Sequence, residues 1–183
     1  MILGDSLTAG LGLAPSEAYP ALLQNKVDAE GLGVEIVNAG VSGDTSAGGL
    51  RRLEWALQGD VRVLVVALGA NDGLRGLPVE RMKENLGTII ERAKRRHVEV
   101  ILAGMEAPPN YGGEYTAAYR AAFRDLARQH GVRFVPFLLD TVAGRPELNQ
   151  GDGIHPNARG AEVMAEMVWK ELRPVLRTLP AGS

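Results

Sequence analysis

The chain has 183 residues, 45% hydrophobic and 23% charged, with 20 Lys plus Arg against 22 Asp plus Glu for a net charge of −2. That length and balance fit one globular domain over residues 1–183; they exclude wholesale disorder and leave no electrostatic case for a nucleic-acid partner. The absence of Cys excludes disulfides and a thiol nucleophile, no apolar run reaches the ~18 residues of a membrane span, and 23 Gly is nearly double the usual share of about 7%.

In chain order, residues 2–4 predict a short first strand and residues 19–31 a helix. The β-branched run at 34–37 (V-E-I-V) predicts the second strand, and residues 45–59 a helix. Residues 61–67 (V-R-V-L-V-V-A) are apolar almost throughout, as a strand buried on both faces requires. Met82, Leu86, Ile89, Ile90 and Ala93 follow the spacing of one helix face. Residues 98–103 predict a fourth strand. Ala117, Ala118, Ala121, Ala122 and Leu126 form a small-residue stripe suited to close packing on a sheet. Residues 132–135 predict a fifth strand, and Ala161, Met164, Ala165, Val168, Trp169 and Leu172 a last helix. Five strands alternating with five helices make a parallel α/β sandwich.

Four polar, glycine-bearing segments follow these strands. They are Gly4-Asp5-Ser6-Leu7, the run from Asn38 through Gly40 to Thr45, Gly69-Ala70-Asn71-Asp72, and Asp152-Gly153-Ile154-His155 in a long loop. Ligands of open α/β sheets bind outside the carboxyl ends of the strands, where the winding direction reverses. With the first strand central, these segments meet at one edge. Taken singly, Ser6 reads as a turn or helix-capping residue, Asn71 and Asp72 as turn residues, Gly40 as turn geometry and Asp152–His155 as a capping turn. Their shared placement favours a catalytic reading.

Elimination identifies the base that serine hydrolysis would need. Of three histidines, His97 and His130 close helices, where a cation suits the carbonyl end. His155 lies in a loop, and Asp152 three residues earlier lets a turn bring a carboxylate to one ring nitrogen while the other faces a substrate.

The four segments resemble, in order, the four blocks of the SGNH (GDSL) hydrolase family. With Pro108-Pro109-Asn110-Tyr111-Gly112 they look most like the branch of bacterial arylesterases and the acyl-CoA thioesterase I/protease I/lysophospholipase L1 enzymes. The resemblance implies a flavodoxin-like three-layer α/β/α sandwich with a five-stranded parallel sheet of order 2-1-3-4-5. It also implies Ser6 as nucleophile, Asp152 and His155 as the rest of a triad, and the N–H groups of Ser6 and Gly40 with the Asn71 amide as an oxyanion hole. The expected activity is hydrolysis of aryl or short to medium acyl esters, with thioesters and lysophospholipids as further substrates. A carbohydrate O-acetyl esterase or acyltransferase on the same fold is the alternative.

The loops 104–115 and 137–151 lie on the same sheet edge, so Met105, Pro108, Tyr111 and Leu138 are expected to border the substrate pocket. No cofactor and no metal are expected, and the partner is a small-molecule ester. A nucleotide-binding reading fares worse: Gly10-Leu11-Gly12 lacks the third Gly of a dinucleotide fingerprint, and there is no Walker A sequence. Neither Lys26, Lys83, Lys94 nor Lys170 ends a predicted strand, as a receiver domain would want. Only Met1–Leu3 precede Gly4, where family members have a longer first strand and many an export signal. The chain as it stands is expected in the cytoplasm, or in the periplasm or medium if an upstream signal has been removed.

Overall fold

Val63, Leu64, Val65, Val66 and Ala67 are all buried, as an apolar run with no polar alternation requires of a central parallel strand. In a computed structural model, which describes residues 1–179, they form β3 (Val63–Ala67). Around it lie β1 (Ile2–Gly4), β2 (Asn38–Gly40), β4 (Glu99–Ala103) and β5 (Arg133–Val135) in one parallel sheet of order β2-β1-β3-β4-β5. The helices are α1 (Ser6–Ala9), α2 (Tyr19–Ala29), α3 (Ser46–Ala56), α4 (Ala70–Leu74), α5 (Val79–Arg95), α6 (Gly113–His130) and α7 (Ala158–Thr178).

The chain passes from β1 through α2 to edge strand β2, then back through α3 to β3 on the other side of β1. Right-handed crossovers therefore send α2 and α3 to opposite faces. Accordingly α2 packs with α7, while α5 lies between α3 and α6, giving the expected three layers. The reversal occurs at β1, so the connections leaving β1 and its neighbours diverge there and open a crevice. Gly4 pairs with Gly40 on one side and with Ala67 on the other, which sets three of the four polar segments side by side.

Two local expectations are corrected. Residues 34–37 are not the second strand; β2 is Asn38–Gly40. Val34 and Ile36 are half-buried, but the ladder with β1 starts at Ile2–Asn38, and only the Val37 carbonyl, which accepts the Ile2 N–H (2.9 Å), bonds to that strand. Further back a side chain of α2 takes the place of a strand: Gln24 Nε2 donates to the Val34 carbonyl (3.2 Å), and the Ile36 N–H donates to Gln24 Oε1 (2.6 Å). A cavity of about 250 Å³ opens here, at the amino ends of β1 and β3. In α6, Ala117 and Ala118 are exposed, and the buried face is Tyr119, Ala122, Phe123, Leu126 and Ala127. Aromatic bulk outweighs the alanine spacing, because burying Tyr119 and Phe123 removes far more apolar area from water. The stripes of α5 and α7 are buried as their spacing predicts. Among the described residues no helix is long and apolar enough to cross a membrane.

Candidate active site

Ser6 is delivered by a connection of one residue between β1 and α1. β1 ends at Gly4, Asp5 caps the next helix by accepting the Leu7 N–H (3.0 Å), and Ser6 opens the single turn of α1. A residue in that position has no partner for its N–H within the helix. The Ser6 hydroxyl donates to Nε2 of His155 (2.9 Å), 149 positions away. His155 Nδ1 in turn donates to Oδ2 of Asp152 (2.6 Å). These roles place the ring proton on Nδ1, the tautomer that leaves Nε2 free to accept.

The loop that carries this pair is tied locally. Oδ1 of Asp152 accepts the N–H groups of Ile154 (2.9 Å) and His155 (3.0 Å). The Gln150 N–H donates to the His155 carbonyl (2.7 Å), and Gln150 Nε2 to the carbonyls of Pro156 (2.9 Å) and Leu11 (2.7 Å). The last anchors the loop beside Ser6. The helix cap that the sequence offered as the plainer role of Asp152 belongs to Asn157, whose Oδ1 accepts the Gly160 N–H (3.1 Å). Asp152 ties its own turn and orients His155 at once. Those two N–H groups and the imidazole hold its carboxyl well below the usual carboxylate range.

Gly40 and Asn71 reach the same edge from β2 and α4. Gly40 must be glycine because a Cβ there would stand 2.2 Å from the Ala9 nitrogen. Its N–H donates to Oδ1 of Asn38, two residues earlier (2.9 Å). Asn71 Nδ2 donates to the Asp44 carbonyl (2.9 Å), and its second hydrogen faces the cleft and Oδ2 of Asp5, 3.5 Å away. The α4 turn is braced from two sides. Tyr119 donates to the Gly69 carbonyl (2.6 Å) and Tyr111 to that of Leu74 (2.9 Å). On the other side the Asp72 carboxylate accepts the N–H (2.8 Å) and hydroxyl (2.6 Å) of Ser46. Asp5 is 1% exposed, and burial pushes its carboxyl up to about 6 against the opposing pull of the Leu7 N–H and His155.

A cleft of about 570 Å³ opens over these groups, within the usual range for small-molecule sites. Met105 and Pro108 line it; Tyr111 and Leu138 do not. The Leu138 N–H donates to the Gly104 carbonyl (2.9 Å), and its side chain is buried in the core, leaving Phe137 and Leu139 to face the cleft. Tyr111 covers Gly76 from outside. The sequence reading also omitted Leu11, Leu74 and Ile154, large apolar side chains left exposed at the cleft mouth. Their signal was an apolar residue among glycines with no place in any helical or strand period. Glu106 is the one carboxylate in the lining, and Arg120 pairs with it (2.9 Å). Among the described residues no group of three or more His, Asp or Glu side chains is placed to hold a metal ion.

The sequence profile of the GDSL-like lipase/acylhydrolase family matches residues 2–163. The chain is 41% identical to the esterase TesA of Pseudomonas aeruginosa over 177 residues, 96% of this chain and 88% of that one. It is 39% identical to the thioesterase 1/protease 1/lysophospholipase L1 of Escherichia coli K12, over 96% of this chain and 84% of that one. The crystal structure of TesA superposes with a TM-score of 0.91 at 40% identity, covering 95% of this chain and 97% of the other.

Proposed function

The chain is an ester hydrolase of the GDSL-like lipase/acylhydrolase family, and from that premise we propose that Ser6, His155 and Asp152 are its catalytic triad within one domain spanning residues 1–183. The observation that carries this reading is the unbroken chain of hydrogen bonds from the Ser6 hydroxyl through His155 to Asp152.

His155 Nε2 takes the Ser6 proton as Oγ attacks the ester carbonyl, and Asp152 stabilises the imidazolium that results. The tetrahedral oxyanion sits between the N–H groups of Ser6 and Gly40 and the Asn71 amide hydrogen whose contact with Asp5 is long (3.5 Å). Donors fixed before the charge develops stabilise it without reorganising. Collapse of the intermediate passes the proton from His155 to the departing alcohol, thiol or phenol, and water clears the acyl-enzyme by the same route.

The cleft favours neutral, apolar substrates. Leu11, Leu74, Met105, Phe137, Leu139 and Ile154 are the large apolar side chains around it, with Leu7 beside Ser6, and its lining contains no Lys or Arg to receive an anionic group. Short to medium acyl chains and aryl leaving groups suit a cleft of this size. Thioesters and lysophospholipids, which the name of the E. coli relative covers, would place their charged portions outside it.

Ser6→Ala should lower kcat on p-nitrophenyl acetate by about 10⁴–10⁶ with the melting temperature unchanged. Activity of the variant within tenfold of wild type would overturn the triad. A panel of p-nitrophenyl esters, acyl-CoA, lysophospholipid and acetylated sugar then ranks the substrates, with the neutral aryl esters expected first.

A further inference from the structure

One guanidinium bonds to a residue next to, or in contact with, each of the three segments proposed to supply the oxyanion donors. Arg52, on α3, directs Nη1 to the carbonyl of Ala39 (2.8 Å), Nη2 to that of Gly4 (2.7 Å), and Nε to Oδ2 of Asp44 (2.6 Å). The Ala39 carbonyl belongs to the same peptide group as the Gly40 N–H. A peptide is planar and rigid, so holding its oxygen fixes the direction of its hydrogen. A cationic donor on that oxygen also polarises the peptide and strengthens the N–H at the other end. The Gly4 carbonyl, which also accepts the Val41 N–H (3.0 Å), ends the strand that delivers Ser6. The main-chain carbonyl of Asp44, whose side chain pairs with Arg52, takes one hydrogen of Asn71 Nδ2 and aims the other (2.9 Å).

The surroundings are shaped for this arrangement. The Arg52 and Asp44 side chains are 18% and 15% exposed, well withdrawn from water. Asp44 lies against the bare backbone of α3 at Gly48, one turn before Arg52, where a Cβ would stand 2.1 Å from Asp44 Oδ1. No lysine could make the three contacts, since its single nitrogen lacks the planar fork that spreads over separate acceptors.

We infer that Arg52, with Asp44, is the positioning residue of the oxyanion hole: it orients and polarises the Ala39–Gly40 peptide and ties the Ser6 and Asn71 donors to it. The inference rests on the triad and oxyanion assignment above. It differs from a plain structural tie between α3 and the sheet edge in what it predicts. A tie affects the amount of folded enzyme, whereas a positioning residue affects turnover per folded active site.

The test compares Arg52→Lys, Arg52→Gln and Asp44→Asn with wild type on p-nitrophenyl acetate. Active sites are counted by burst titration with a p-nitrophenyl phosphonate ester, and a trifluoromethyl ketone serves as reversible tetrahedral-adduct probe. With the donors misaimed rather than deleted, kcat per active site should fall about fivefold in Arg52→Lys and about thirtyfold in Arg52→Gln, less than for loss of a donor outright. KM should stay within twofold, and ketone affinity should fall in step with kcat/KM. Turnover per active site within twofold of wild type in both Arg52 variants would overturn the inference, as would losses wholly accounted for by fewer active sites. If Arg52→Gln does not fold, Arg52→Lys and Asp44→Asn decide by the same criteria. Failure of the triad reading is separately visible, because it alone leaves Ser6→Ala active.

Discussion

The two sides of the cleft are assembled by opposite means. On the side proposed to donate to the oxyanion, Ser6, Gly40 and Asn71 come from three strand ends, and several of their supports are distant in sequence. Asn71 faces Asp5 across 66 positions, Arg52 reaches Gly4 across 48, and Tyr119 reaches Gly69 across 50. On the base side, Asp152 and His155 are three positions apart in one turn, and the Asp152 side chain is 46% exposed. The difference follows from the chemistry. Oxyanion donors are useful only when fixed before the charge appears, which takes a rigid, water-poor frame. An acid–base pair needs one oriented ring, and a local turn can supply that.

The sharpest way to break this comparison is to remove one group from each side and offer a soluble replacement. Asp152→Ala should lower kcat by on the order of 10³, toward the low end for loss of a triad acid, because water reaches the exposed Nδ1 in its place. Asn71→Ala should cost on the order of 10². Formate at high concentration should then restore Asp152→Ala several-fold, while formamide should leave Asn71→Ala unchanged. Steady-state rates against added rescue agent are the readout. Without formate rescue, Asp152 would matter through the turn it ties rather than through His155.

A smaller effect separates the buried and exposed carboxylates by pH. Burial raises the Asp5 carboxyl to about 6, so the folded state holds a proton that the unfolded chain releases near its ordinary value of 3.8. Between those values the native state binds more protons than the unfolded state, and stability falls as pH rises through the window. Asp5→Asn removes the titration and keeps an acceptor for the Leu7 N–H. Its stability relative to wild type should be near zero at pH 4 and grow to about +3 kcal/mol by pH 7.5, read from urea midpoints. A gain that is the same at both pH values would show that charge at Asp5 is not its source.

The same contrast decides what was legible in the sequence. The Asp152–His155 pairing was readable because its geometry is carried by a three-residue spacing and only three histidines compete. The strand order came from the resemblance, and the glycines marked which turns approach closely. Arg52 was not readable: it follows Arg51 in a helix of ordinary charge, and only the fold shows that it shares the turn-spaced face of Gly48 and Ala56 and points at the strand ends. The run at 34–37 misled because a β-branched alternation looks the same whether a neighbouring strand takes its hydrogen bonds or, as at Val34 and Ile36, a glutamine side chain does. Leu138 misled for a related reason. Residues 137–140 form a turn, with the Asp140 N–H donating to the Phe137 carbonyl (3.1 Å), and spacing alone does not say which of Phe137, Leu138 and Leu139 is turned to the core.

That last ambiguity yields the smallest predicted effect and a direct check on the cleft. Met105 and Phe137 line it, so Met105→Ala and Phe137→Ala should shift the preference among p-nitrophenyl acetate, butyrate and octanoate. One methylene in an apolar pocket is worth roughly 10–200-fold at most, and an open cleft realises only part of that, so a change of several-fold in relative kcat/KM is expected. Leu138→Val, in the core, should leave the ranking of the esters unchanged while lowering stability by about 1 kcal/mol. Tyr111→Phe lies between the two. Its hydroxyl holds the Leu74 carbonyl rather than a substrate, so kcat should drop slightly for every ester alike, with no change in ranking. A chain-length shift in Tyr111→Phe equal to that in Met105→Ala would place Tyr111 in the acyl site during turnover and make this wall of the cleft a moving one, unlike the braced donor side it adjoins.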